Sequence, residues 1–166
     1  MKLHSDITIN NNFHAKGSEI PWYQIYPFFM IHMLMFGGSG FFLAYGDGDV
    51  LFLFLHGGIA TFVYIIFYFA IFGIDQVRWM FTNAALGLLG IYSEIDWILS
   101  FFNKHAEDFA WYIHVIPFLY YILYTFLLRQ MLIDVSGSRD NESRMRLINY
   151  FYVIISLSFY LYLLLL

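Results

Sequence analysis

The side chains best able to carry chemistry in this sequence are a few ionisable groups set inside long apolar stretches. His56, Glu94 and His114 each lie in a different hydrophobic segment. His56 follows Asp49 by seven residues, and Glu94 and His114 stand ten and nine residues from the charged turn at Lys104 and His105. Ionisable groups are costly in a bilayer and usually have a partner or a role there. For Glu94 one interpretation is a functional carboxylate, and the other is a carboxylate that hydrogen-bonds or reaches to the external interface. The spacing predicts that all three enter the membrane from one side to a similar depth.

Two kinds of chemistry are compatible with such a set. A carboxylate and imidazoles at one level, with His32 deeper, could line the mouth of a path for ions, protons or a small solute. His56 and His114 at equal depth could instead ligate haem b, and adding Glu94 gives a His₂–carboxylate metal site. Sequence leaves open whether these side chains converge, so the cofactor is unknown and any metal ligands are candidates only.

His32 lies near the middle of the first apolar segment, with Ser39 on the same helical face. One interpretation is a neutral imidazole bonded to a neighbouring backbone group or tyrosine. The other is a step in a proton relay or a ligand of a cofactor. His4, His14 and His105 lie in polar segments, where we expect them to be solvated.

Several function classes are excluded by what the sequence lacks. It contains no cysteine, which removes thiolate nucleophiles, disulfides and cysteine-ligated clusters. It contains no phosphate-binding glycine loop, no H-E-x-x-H and no G-x-S-x-G motif. No pattern indicates nucleic-acid binding, and the shortage of catalytic groups favours a protein that is not an enzyme.

The elements that position these residues are membrane-spanning helices. Residues are 61% hydrophobic and only 12% charged, against about 25% charged in soluble domains. A spanning helix needs about 20 apolar residues, and five segments supply them: 21–45, 50–72, 77–101, 109–132 and 147–166. We therefore predict an all-α, polytopic transmembrane bundle at residues 21–166, preceded by a polar segment at residues 1–20.

The third segment is the least apolar, because it contains Arg78, Glu94 and Asp96. Trp79 and Trp97 support a crossing nevertheless. They are eighteen residues apart, about 27 Å along a helix, which is close to the hydrocarbon thickness, and tryptophan favours both interfaces. Arg78 and Asp96 then lie at the head groups, and only Glu94 lies deeper.

Five crossings place seven Lys and Arg residues on the side of the N-terminus and only Lys104 on the opposite side. This bias predicts a cytoplasmic N-terminus and an external C-terminus. Residues 1–20 also lack the apolar core of a secretory signal and the arginine pattern of a transit peptide. A bacterial inner membrane is the expected location.

Small and polar residues recur on single helix faces and predict close packing between helices. The third segment carries Asn83, Gly87 and Gly90 on the face of Glu94, and the second carries Gly57 and Thr61. The favoured function is therefore a small subunit of a membrane protein complex, in contact with lipid and with other membrane proteins or copies of itself. The alternatives are a homo-oligomeric channel or transporter and a haem- or metal-binding redox subunit.

Overall fold

The protein is built almost entirely from α-helices, which confirms the predicted all-α bundle. A computed structural model describes residues 2–9, 11–46 and 48–165, so the predicted limits at residues 1 and 166 lie outside the described residues. The helices are α1 (Trp22–Tyr45), α2 (Val50–Phe72), α3 (Ile74–Leu86), α4 (Leu88–Ser100), α5 (Val115–Val135) and α6 (Glu142–Leu165). A short 3₁₀ turn at Trp111–His114 leads into α5.

Within the described residues, four helical stretches are each long and apolar enough to cross a bilayer. They are Trp22–Tyr45, Val50–Phe72, Trp111–Val135 and Glu142–Leu163. Helices of this length that are apolar on every side are stable in lipid because all their backbone hydrogen bonds are internal. The fold therefore fits a multi-pass membrane protein.

The third predicted helix, residues 77–101, is interrupted at Gly87 and forms two helices of 13 residues each, α3 and α4. Gly87 has φ −92° and ψ 6°, in the sparsely populated region between helix and strand. Its N–H donates to the Asn83 carbonyl at 2.9 Å, and its own carbonyl accepts from Ile91 N–H at 3.0 Å. The prediction of one uninterrupted helix is wrong at this glycine, although helical hydrogen bonds continue on both sides of it.

Together, α3 and α4 pass from one end of the bundle to the other. α3 begins directly after the turn at Gly73 that ends α2. Beyond α4, Lys104 Nζ donates to the carbonyl of Tyr45, at the end of α1, at 2.5 Å. We call the end with Gly73 the proximal end and the end with Tyr45 the distal end. In the described residues the chain makes five passes between these ends, and the α3–α4 pass is not among the four stretches that are long and apolar enough to cross a bilayer. α6 begins at the proximal end and finishes at the distal end.

The centre of the bundle is formed by α1, α2 and α5. A Cβ on Gly40 of α1 would lie 3.3 Å from the Tyr120 ring, and Gly57 of α2 packs against Ile116. The hydroxyl of Tyr68 donates to the carbonyl of Leu123 at 3.0 Å. α6 lies at the edge of the bundle, against α4 and α5. In the described residues, none of the residues in its most apolar stretch is buried.

The described part of the N-terminal segment caps the proximal end. Strands β1 (Ile7–Ile9) and β2 (Asn12–His14) pair antiparallel. The backbone N–H of His4 donates to the carbonyl of Ala70 in α2 at 2.8 Å. Leu3 and Ile20 are 3% and 1% exposed, so apolar burial adds to the hydrogen bonds that hold the cap.

A polar network closes the same end. Asp134 of α5 accepts hydrogen bonds from the hydroxyl of Tyr26 and from Nε of Arg139. Arg139 Nη2 also donates to Gln130 Oε1 at 3.0 Å. Burial alone would lower the pKa of the Arg139 guanidinium, but the hydrogen bond and negative charge of Asp134 raise it above its ordinary value. The loop after α5 is thereby tied to α1 and α5.

Candidate functional sites

His114 lies at the distal end as part of a hydrogen-bonded contact between α1 and α5. Its Nδ1 lies 2.8 Å from the hydroxyl of Tyr45, and the Tyr92 ring is 5.7 Å away, edge to face. The residue is 6% exposed. The contact between this buried imidazole and the Tyr45 hydroxyl joins α1 to the 3₁₀ turn that leads into α5.

His56 and His32 line one groove on the outer face of α1 and α2. His56 Nε2 lies 3.3 Å from Ser39 Oγ, and His32 Nδ1 lies 2.8 Å from the carbonyl of Phe28, one turn earlier. The groove has a volume of about 430 Å³, and aromatic rings such as Phe36 and Phe67 form much of its wall. Two imidazoles therefore face a surface that otherwise suits lipid.

Glu94 is 7% exposed and faces α5 and α6. Its carboxyl group lies beside the Tyr121 hydroxyl, which in turn lies near the hydroxyl of Tyr160 in α6. Gly90, one turn before Glu94, makes room for this tyrosine, since a Cβ there would lie 2.7 Å from the Tyr160 ring. The face that carries Asn83, Gly87, Gly90 and Glu94 is thus turned toward α5 and α6.

The three residues of the predicted polar site have separate surroundings. His114 contacts Tyr45, His56 contacts Ser39, and Glu94 contacts Tyr121. In residues 2–9, 11–46 and 48–165, no three His, Asp or Glu side chains are grouped closely enough to hold a metal ion. The predicted packing residues Gly57 and Thr61 also face inward, toward α5, and Thr61 is 2% exposed.

The buried charge that sequence reasoning missed is Arg129 of α5. It is 5% exposed, and its Nε and Nη2 both donate to Asn149 Oδ1, at 3.1 and 2.8 Å. The guanidinium carbon lies 3.9 Å from the centre of the Trp79 ring. Among the described residues, no carboxylate lies within ion-pair distance of Arg129, and its Nη1 has no hydrogen-bond partner.

A cavity of about 220 Å³ adjoins Arg129 between α3–α4, α5 and α6. Polar groups at one end include Arg129, Asn83 and Tyr152, and Tyr121 and Tyr160 border the other. Arg129 and Tyr121 are eight residues apart on α5, so the cavity is roughly 12 Å long. It is an elongated, mainly apolar space with a cation at one end.

The sequence contains a signal for Arg129, but the residue was used only in the count of Lys and Arg residues that predicts the orientation. Arg129 is one of the seven Lys and Arg residues counted on the side of the N-terminus. However, Gln130, the next residue, is 1% exposed, and Ile133, one turn further on, is 2% exposed. In the sequence, Arg129 and Gln130 are polar residues within an apolar run. These buried neighbours indicate that Arg129 faces the interior of the bundle at its depth in the membrane.

No protein family, curated protein or solved structure matches this chain.

Proposed function

We propose that this protein is a component of a membrane protein complex and that it contacts its partner through the α1–α2 groove. The observation that supports this is the pair of imidazoles, His32 and His56, that line the groove inside two apolar spans. The small-residue faces on α2 and α4 pack within the chain. They are therefore not the surface proposed for the partner.

The depth of the two histidines argues for a covered groove. His56 lies at the level of Ser39, and Ser39 is seven residues from His32, so the two rings are separated by about 10 Å along the helix axes. One nitrogen of each ring has a partner within the chain, Ser39 for His56 and the Phe28 carbonyl for His32. The second nitrogen needs a partner too, because an unpaired polar group is unfavourable inside the hydrocarbon. Across helices in lipid, hydrogen bonds of such groups contribute about 1 kcal/mol.

The partner that best fits is one transmembrane helix of another protein. It would carry two hydrogen-bonding side chains about seven residues apart, to match the spacing of His32 and His56. Aromatic rings line the groove between them, and a helix with small or aliphatic residues at intervening positions would pack against those rings. Its length would be that of a single span.

The test is native mass spectrometry after mild extraction of the tagged protein from its native membrane. We expect a complex of defined mass that contains a second membrane protein, and we expect its loss in His32→Phe combined with His56→Phe. His105→Phe is the matched control, because His105 is exposed in the distal loop.

A monomer of 19.7 kDa as the only species from the native membrane would contradict the proposal. Assembly with copies of the same chain alone would contradict the assignment of the partner. A complex that survives both histidine substitutions would remove the groove from the interface.

Conduction of protons or small ions is the second candidate, and a different observation favours it. Glu94, Tyr121 and Tyr160 form a connected polar set inside the bundle, and the two tyrosines border the elongated cavity. Exchangeable protons on a carboxyl and two hydroxyls supply steps of a relay. Proton flux in proteoliposomes is the measurement, and Glu94→Gln should reduce it while Glu107→Gln, in the exposed distal loop, should not.

A further inference from the structure

Arg129 is an internal cation whose positive charge is not neutralised within the described chain. Trp79 covers one face of the guanidinium at 3.9 Å, and Asn149 accepts from Nε and Nη2. A neutral amide and an aromatic ring stabilise a cation less than an anion does in a medium of low dielectric. Arg129 is 5% exposed, so solvent screens its charge only weakly.

The hydrogen bonds to Asn149 leave one edge of the guanidinium for a ligand. A guanidinium has five N–H donors, and two parallel N–H groups on one edge match the two oxygens of a carboxylate or phosphate. Asn149 uses the edge formed by Nε and Nη2. The edge formed by Nη1 and Nη2 remains, and Nη1 has no partner in the described part of the chain.

The position of Arg129 indicates where an anion would come from. Arg129 is six residues from Val135, the end of α5, which is about 9 Å. Trp79 beside it is a residue type that favours the interface. A negatively charged head group of a membrane amphiphile lies at this level, whereas a soluble anion would have to leave water to reach it.

We propose that the cavity beside Arg129 binds an anionic amphiphile, whose carboxylate or phosphate is held by Arg129 and whose apolar chain lies between α3–α4, α5 and α6. Asn83, Thr125 and Ser156 line the same cavity and supply further hydrogen-bonding groups along it. Ala84 and Leu157 belong to its apolar lining. This site is separate from the α1–α2 groove.

The experiment uses the full chain in phosphatidylcholine nanodiscs. The probes are 2-bromodecanoic acid, 10-bromodecanoic acid and decyl phosphate, with inorganic phosphate as the soluble anion. Bromine quenches nearby tryptophan, and binding is read as the quenching that Trp79→Phe removes. We expect saturable quenching that is stronger for the 2-bromo acid, because its bromine is next to the carboxylate. Unlabelled decyl phosphate should displace it.

Substitutions then test the two parts of the site. Arg129→Gln should weaken binding about tenfold or more, the loss expected when a charged hydrogen bond is removed. Arg146→Gln is the matched control, because Arg146 is a cation near the same end with a side chain that is 63% exposed, and it should bind like the wild type. Ala84→Phe, which narrows the cavity and keeps Arg129, should also abolish saturable quenching.

Two results with the wild-type protein would overturn the proposal. One is equal quenching by the two bromo acids in the wild-type protein, which does not depend on how any Arg129 variant folds. The other is displacement by inorganic phosphate at the concentration at which decyl phosphate acts, since this would assign the site to a soluble anion. Equal weakening by Arg129→Gln and Arg146→Gln would likewise show general attraction by charge and no defined site.

Discussion

The guanidinium of Arg129 lies over the indole ring of Trp79, with 3.9 Å between the guanidinium carbon and the ring centre. The two residues come from α5 and α3, which are far apart in the chain. A cation over the face of tryptophan is attracted by the ring quadrupole. The contact therefore joins α3 to the central helix α5, and it determines where the buried charge sits.

Trp79→Leu should lower the free energy of unfolding by about 1–2 kcal/mol, because the cation–π contact in a poorly hydrated site is lost. Far-UV circular dichroism during unfolding by sodium dodecyl sulfate in maltoside micelles measures this. Trp111→Leu is the control, since Trp111 is 79% exposed, and a change within about 0.5 kcal/mol is expected there. An equal loss in both variants would argue against the contact.

Gly90→Ala should separate α6 from α4. The added Cβ would lie 2.7 Å from the Tyr160 ring, and insertion of a methyl group into a packed contact costs about 1–3 kcal/mol. Gly38→Ala is the matched control on α1, where no atom lies within 4 Å of the new Cβ. That change should be neutral or stabilising by up to about 1 kcal/mol, because alanine is the better helix former. Unfolding by detergent titration separates the two cases.

Arg139→Gln should destabilise the proximal end. Its partner Asp134 has a side chain that is only 7% exposed, and removing the cation leaves a buried carboxylate without its ion pair. A loss of roughly 2–3 kcal/mol is expected, less than for a fully buried pair because the Arg139 side chain is 32% exposed. Arg146→Gln breaks only an exposed pair with Glu142 and should change stability by less than about 0.5 kcal/mol.

If the loss in Arg139→Gln came from the Asp134 pair, Asp134→Asn should relieve part of it. The double variant would then be more stable than the sum of the single changes predicts. Additive effects in this double-mutant cycle would contradict a direct coupling between the two side chains.

The five passes can be tested by labelling, because the chain contains no cysteine and any introduced thiol is unique. Lys16→Cys and Ser143→Cys should react with a membrane-impermeant maleimide from one side of the membrane. Glu107→Cys and Leu165→Cys, the latter at a residue that is 86% exposed, should react from the other. Labelling of Lys16→Cys and Leu165→Cys from the same side would remove α3–α4 as a crossing.

Most of the helical architecture follows from the sequence. The limits predicted for the first two spans, residues 21–45 and 50–72, agree with α1 and α2 to within one residue. In the third span the prediction missed the interruption, since Gly87 is one of two glycines in an otherwise helical pattern and either could be accommodated in a helix. Whether a glycine bends a helix depends on what packs against it.

The candidate sites were less predictable. His56, Glu94 and His114 were expected at one level, and depth along a helix can indeed be counted at a fixed rise per residue. The direction in which each side chain points around its helix cannot be obtained from such a count. His56 turns toward Ser39 and the outer groove, and Glu94 turns toward Tyr121. These side chains have different neighbours because that depends on how each helix is rotated about its own axis.

By itself, the sequence determined that this protein is an α-helical bundle with long apolar spans, because a run of about 20 apolar residues has one stable arrangement in lipid whatever surrounds it. Only the tertiary structure decided which polar side chains meet. Helices that are apolar on every side carry little information about which face is buried. The contacts of Arg129 with Trp79 and Asn149 come from three different helices, and so they exist only once α3, α5 and α6 have packed.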